Sequence, residues 1–276
     1  MAITAADVNK LRQQTGAGMM DCKNALVEAN GDFEAAIDIL RKKGQKIAAK
    51  RGENDAREGL IIAQASADGK YGVILTLNCE TDFVAKNDGY RALVQSLVDL
   101  ALEHKPASLE DLKGLKYDDR LTVDEKITEQ IGVIGEKLDL SNYGTIQADK
   151  VTAYNHPGNQ LATLVGLNSG SETAEDAGKQ VAMQVAAMNP IALDKDGVDA
   201  RTIEREIEVG KDLAIQEGKP ADMAEKIAMG RLNKFFQENT LLSQAFVRDN
   251  KLTVEQFLAG AESGLTVTEF KRFSLS

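Results

Sequence analysis

Two histidines, two cysteines and many carboxylates are the side chains from which a catalytic centre would have to be built in this chain. A hydrolytic triad needs a histidine within reach of both a nucleophile and an acid. His104 stands near the end of a helix-like run, where an imidazole faces solvent and the helix dipole. His156 stands in a hairpin turn. Cys22 and Cys79 lie far apart without metal-ligand spacing, and read as reduced thiols of a cytoplasmic protein. Gly132–Lys137 has the wrong glycine spacing for a phosphate loop, and its lysine lacks the following hydroxyl. Asp194–Asp199 imitates a calcium loop, but its glycine comes too early in the run. No carboxylate pair sits in an apolar setting that would shift its pKa. The census points away from an enzyme and toward a chain that needs no cofactor and no metal.

Binding remains, and one side chain stands out. Asn78-Cys79-Glu80-Thr81-Asp82-Phe83-Val84-Ala85-Lys86-Asn87-Asp88 separates a strand-like run from a helix-like run and reads as a polar loop. Phe83 sits in its middle. It is either a plug into the chain's own core or a wedge for a partner. An isolated Phe usually favours the plug. The polar neighbours, the end of strand alternation at Asn78 and the rigid flanking elements favour the wedge, because a hot spot must be held firmly. On these residues alone the two readings weigh evenly.

The elements that would position Phe83 can be read from period and caps. Residues 4–43 give three short helices. Thr4-x-x-Asp7 opens the first, Gly16-Ala17-Gly18 closes it, Asn30-Gly31 closes the second and Asp32 caps the third. This is a mini-bundle of the ubiquitin-associated type. Met19 and Met20 follow a glycine turn and cannot both face inward, so at least one is exposed. Residues 44–58 read as a linker, helical in part. Leu60–Ala65 and Tyr71–Asn78 form a hairpin around Asp68-Gly69. A helix follows, with Tyr90, Leu93, Val94, Leu97 and Ala101 on one face.

A second copy of this pattern runs from Thr145–Asn155 through a turn at His156–Asn159 to Leu161–Asn168, then a helix to Met188. Both returning strands end in Leu-Asn, which suggests two related hairpin-plus-helix subdomains. Residues 199–236 form a helical hairpin around Gly218-Lys219-Pro220, with Ile203, Ile207, Gly210 and Ala214 on one arm and Met223, Ile227, Gly230 and Lys234 on the other recurring at the same four-three-four spacing. Its charged outer faces predict a projecting antiparallel coiled coil. A short helix from Thr253-x-x-Gln256 and a strand over Leu265–Phe273 complete the chain.

The fold class is therefore α+β, divided as 1–54 (three-helix module and linker), 55–140 (first subdomain), 141–196 with 237–276 (second subdomain) and 197–236 (inserted hairpin). The net charge of −10 argues against nucleic acid as the main partner. Residues 1–52 are nevertheless basic, with nine Lys/Arg against six Asp/Glu, which suits an acidic partner surface. No apolar run approaches a membrane span, and no signal-like segment opens the chain.

Two long motifs add a resemblance. Leu11-Arg12-Gln-Gln-Thr15-Gly16-Ala17-Gly18-Met19-Met20-Asp21-Cys-Lys23-Asn24-Ala25-Leu26 and Leu77-Asn78-Cys79-Glu80-Thr81-Asp82-Phe83-Val84-Ala85-Lys86 resemble, in order, the signatures of the bacterial elongation factor Ts family. Ile134-Gly135-Glu136-Lys137, Tyr154-x-His156 and Gly218-Lys219-Pro220 with Gly230-Arg231 are similar too. The resemblance implies a guanine-nucleotide exchange factor for elongation factor Tu, meeting its GDP-bound and nucleotide-free forms. It implies that Thr81, Asp82, Phe83 and Val84 enter the partner's GTPase domain and disturb the supports of its magnesium ion. Arg12, Met19 and Met20 would dock the N-terminal module, with Ile134 and His156 as core contacts. A homodimer or 2:2 complex through the hairpin is a further expectation. The chain departs from the family at Thr76, where an acid is common, and at Gln184, where some members have His. The further C-terminal helix of some members is expected to be missing.

Overall fold

The computed structural model describes residues 3–275. The N-terminal module consists of α1 (Ala5–Thr15), α2 (Met19–Glu28) and α3 (Phe33–Arg51). Thr4 and Asp7 form a reciprocal capping box, Gly16 ends α1 at φ 70°, and Asp32 caps α3. Leu11, Cys22, Leu26 and Ile37 anchor a small core. The last turns of α3 occupy the first part of the segment read as a linker.

β1 (Glu58–Ala65) and β2 (Tyr71–Cys79) follow, then α4 (Asp82–Ala85), α5 (Asp88–His104), α6 (Leu109–Gly114), α7 (Val123–Ile134) and β3 (Leu138–Gln147). The three strands form a sheet in the order β1–β2–β3. The rest comprises β4 (Lys150–Asn155), β5 (Leu161–Leu167), α8 (Glu172–Met188), α9 (Ala200–Gln216), α10 (Ala221–Asn239), β6 (Ala245–Phe246), β7 (Asp249–Thr253), α11 (Val254–Ala261) and β8 (Val267–Ser274), with a 3-10 turn at Lys195–Gly197. A second sheet has the order β4–β5–β8, antiparallel throughout, and β6 pairs with β7. The class is mixed α and β with small antiparallel sheets. No helix of the described residues is long and apolar enough to cross a membrane.

The chain divides into two compact units, one taking in the residues up to Ile62 and Leu75–Gly144, the other Ala63–Ile74 and Thr145–Ser274. In the first unit the N-terminal module packs on α7. The crossing is backbone on backbone. A Cβ at Gly44 would stand 2.9 Å from the Thr128 carbonyl oxygen, and one at Gly132 would stand 2.7 Å from the Gly44 Cα. Ion pairs Arg41–Glu125 (3.1 Å) and Arg120–Glu34 (3.0 Å) flank it.

The second unit wraps its sheet around α8. Val181, Val185, Val165 and Leu258 belong to its core, and the rings of Phe246 and Phe257 stack at 4.1 Å. Buried Gln184 donates to Gln244 and to the Ala245 carbonyl and accepts from the Val247 N–H at 2.8 Å. It ties the segment around β6 to α8, so the side chain serves the interior.

Two expectations need correction. The strand read over Thr145–Asn155 is broken after Gln147: the first part belongs to β3, the second to β4. Among the described residues of α10, Ala224, Ala228 and Leu232 are buried instead of the face assigned by period through Met223, Ile227, Gly230 and Lys234, and Met223 is exposed. Close approach decides this. A Cβ on Gly210 would lie 3.1 Å from the Ala228 Cα, a spacing that large side chains would prevent. The Leu-Asn endings are similar in use. Asn78 donates to the Glu58 carbonyl and accepts from Ser141; Asn168 donates to the Gly264 carbonyl and accepts from the Thr266 N–H.

Gly132→Ala tests the helix crossing. In an open helix this change stabilises by about 0.5–1 kcal/mol. Here overpacking is expected to reverse the sign, with a loss of roughly 1–3 kcal/mol. Denaturant unfolding of the variant against the parent reads the difference.

Candidate functional site

The segment read as a loop is a single helical turn. Thr81 has extended backbone and caps it, its hydroxyl accepting from the Val84 N–H at 3.4 Å. The Thr81 carbonyl accepts from the Ala85 N–H, and the Asp82 carbonyl from the Lys86 N–H. Ala85 is the buried residue of the turn, and Phe83 is 81% exposed. Phe83 is therefore no plug into the chain's own core. A turn that buries Ala85 must send the residue two places earlier outward.

Six hydrogen bonds between Glu80 or Thr81 and distant residues hold this turn. Thr81 donates its N–H to Glu136 Oε2 at 3.1 Å and its hydroxyl to Oε1 at 2.7 Å. Glu80 accepts the Lys137 N–H at 2.6 Å and both of its oxygens receive Arg51, at 2.9 and 2.8 Å. Asn54 donates to Glu80 as well, and Lys137 Nζ donates to the carbonyls of Gly52 and Asn54. Burial pushes the Glu80 carboxyl up, but the Lys137 N–H, Asn54 and Arg51 outweigh it and hold the pKa below the usual carboxylate range. On the outer side, Asp82 pairs with Lys86 at 2.6 Å. That hydrogen bond is the main reason its pKa is lowered.

Beneath the turn, Tyr90 is fully buried and donates its hydroxyl to the Leu77 carbonyl at 2.5 Å. Cys79 is buried beside it, and burial raises its thiol pKa to about 11. At neutral pH it stays a thiol, donating to the Thr81 carbonyl at 3.2 Å.

Phe83 and Val84 border a groove of about 500 Å³, lined also by Gly16, Gln130, Val133 and Ile134. The structure thus brings Ile134 together with the turn and with the end of α1. Arg12 is exposed on α1. Met19 and Met20 are 57% and 64% exposed and line another groove of about 520 Å³, with Ile3, Val8 and Lys23. His156 belongs to the second unit. Its Nδ1 lies 2.9 Å from the Tyr154 hydroxyl, in a groove of about 380 Å³ with Met183, Val247 and Arg248. The fixing residues Arg51, Glu80 and Glu136 were not singled out by sequence reading, because their partners lie 29, 57 and 55 positions away. The one local signal was Thr81 itself, a hydroxyl residue poised as an N-cap.

An exposed aromatic on a firmly braced turn, with apolar grooves beside it and exposed methionines on a helical module, defines a protein that acts by binding another macromolecule. Comparison with known proteins narrows the class. The family model described as Elongation factor TS matches residues 80–276. Curated relatives named Elongation factor Ts include that of Amoebophilus asiaticus, 56% identical over 99% of this chain and 98% of the relative. That of Cytophaga hutchinsonii is 52% identical, covering 99% of both chains. That of Porphyromonas gingivalis is 46% identical over 100% of this chain and 99% of its own. The chain belongs to the elongation factor Ts family. It is thereby a nucleotide exchange factor of translation elongation, one that works by binding and makes or breaks no bonds.

The depressed pKa of Glu80 sets a pH dependence. A lowered folded-state pKa contributes stability above the unfolded value of about 4.3, and that contribution is lost as pH falls through the folded value. Glu80→Gln is therefore expected to melt below the parent at neutral pH, with the gap closing below about pH 4. Thermal melts followed by circular dichroism across that range check it.

Proposed function

We propose that this chain speeds GDP release from elongation factor Tu by inserting the turn Thr81–Val84 into the partner's GTPase domain. Phe83 is the wedge and Asp82 the acid that helps shift the elements supporting the partner's magnesium ion. The exposure of Phe83 on a braced turn carries this reading.

The physical logic follows from how a nucleotide is held. Its phosphates depend on the metal and on backbone donors of the phosphate loop. Displacing the metal's supports weakens nucleotide binding, and by linkage the nucleotide weakens binding of the factor equally. The factor therefore meets the GDP-bound form, stabilises the nucleotide-free form and is released when GTP rebinds. Burying Phe83 in the partner supplies roughly 2–3 kcal/mol toward this exchange. In the free chain Asp82 pairs with Lys86 at an exposed site, a tie worth little to break.

The remaining contacts belong to the same reading. Arg12, Met19 and Met20 dock the three-helix module, taken as ubiquitin-associated-like and bounded at residue 54. Ile134 extends the contact of the turn, and His156 with its groove supplies a separate one from the second subdomain. Residues 197–236 are taken as an antiparallel coiled coil and as the surface through which a homodimer or 2:2 complex would form. The cytoplasm, where translation elongation takes place, is the proposed location.

Phe83→Ala should slow factor-stimulated release of a fluorescent GDP analogue from elongation factor Tu by roughly tenfold to a hundredfold. The side chain is exposed, so the melting temperature should barely move. A folded Phe83→Ala variant with parental stimulation would remove the wedge mechanism.

A further inference from the structure

We propose that Glu136 is a positioning residue for exchange, acting through Thr81 to fix the direction in which Phe83 leaves the surface. The inference rests on the wedge reading above and adds the group that aims the wedge.

The segments 80–81 and 136–137 are bound reciprocally. Each acid accepts the N–H of the residue that follows the other acid: Lys137 N–H to Glu80 at 2.6 Å, Thr81 N–H to Glu136 at 3.1 Å. Glu136 takes one bond more. The Thr81 hydroxyl has a single proton, and it goes to Glu136 Oε1 at 2.7 Å. The lone pairs left on the Thr81 hydroxyl oxygen face the Val84 N–H. One carboxylate thus sets both the backbone of the cap residue and the rotor that caps the turn. Phe83 lies inside that turn, between the cap and the N–H it caps.

Glu136 is itself well placed to act as a fixed point. Gly135 ends α7 with φ 81°, a left-handed backbone that turns the chain back at once. α7 is locked to α3 by the glycine crossing, and Lys137 is tied to Gly52 and Asn54 just past the end of α3. The aim of Phe83 therefore refers back to α3 and α7 rather than to the short turn alone. A four-residue helix has too few internal bonds to hold its own direction.

Without Glu136 the turn would still form through its Thr81 cap, and the docking side chains Arg12, Met19 and Met20 would be untouched. The loss should fall on the maximal rate of GDP release and leave the half-saturating concentration of factor near the parental value. A misplacement of about 1 Å at a reacting contact can cost a hundredfold in rate, so Glu136→Ala is expected to lose roughly tenfold or more. Glu136→Gln keeps an acceptor for the hydroxyl but not for the N–H, and should recover part of the rate.

The test is a stopped-flow titration of fluorescent GDP release from elongation factor Tu with the full-length chain. It compares the parent, Glu136→Ala, Glu136→Gln, Phe83→Ala and the double variant Glu136→Ala/Phe83→Ala, with melting temperatures alongside. Support is a fall in maximal rate for Glu136→Ala, an intermediate value for Glu136→Gln, and no further fall when Glu136→Ala is added to Phe83→Ala. Should Glu136→Ala fail to fold, Glu136→Gln takes its place with the same criteria. A folded Glu136 variant with the parental maximal rate overturns the positioning role. So does a multiplicative loss in the double variant, which would mean that Glu136 acts independently of Phe83. Parental release by Phe83→Ala alone would overturn the wedge reading, and the positioning role with it. Loss in Phe83→Ala with none in Glu136→Ala would overturn only the positioning role.

Discussion

The exchange of N–H groups between two acids is the constraint on which the surface of the first unit depends. Glu80 and Glu136 each close on the other's neighbour. Charge-assisted bonds of this kind are about twice as strong as neutral ones, and here they bridge segments far apart in the chain. They let a short helical turn carry an exposed aromatic without collapsing onto it. A Phe on an unbraced loop would find its own core, because burial of its ring is favourable by a few kcal/mol. The acids, the cap at Thr81 and the burial of Ala85 together deny it that option.

The second unit solves a different problem. Its buried Gln184 could be an error in a hydrophobic helix face, since an unmet amide costs about 1–3 kcal/mol. Instead the amide meets Gln244 and the backbone at Ala245 and Val247. Gln184 is thus absorbed into the interior, and the groove around His156 is left to Met183, Val247 and Arg248.

Much of the fold was legible because its signals are local. The boxes at Thr4–Asp7 and Thr253–Gln256, the cap at Asp32 and the turn at Asp68-Gly69 all act within a few residues. The helical turn at Asp82–Ala85 was read as loop because four residues carry no period. Residues 138–144 of β3 were missed because the buried–exposed–buried alternation of Leu138, Asp139 and Leu140 is too short to stand out before the polar Ser141-Asn142. The face of α10 was misread because hydrophobicity named Met223 and Ile227, whereas contact distance selected Ala224 and Ala228. Among the site residues, Phe83 was visible as an anomaly. Its supports Glu136 and Arg51 look like any surface charge until the chain is folded.

The glycine crossing of α3 and α7 has a consequence of another kind. Most helix contacts are cushioned by side chains that can change rotamer, so the helices can slide by small amounts at small cost. Where Gly44 meets Gly132 there are no rotamers to change. The distance of the N-terminal module from α7 is therefore set by main-chain atoms, and a side chain gained at either glycine would act as a spacer that prises the module off.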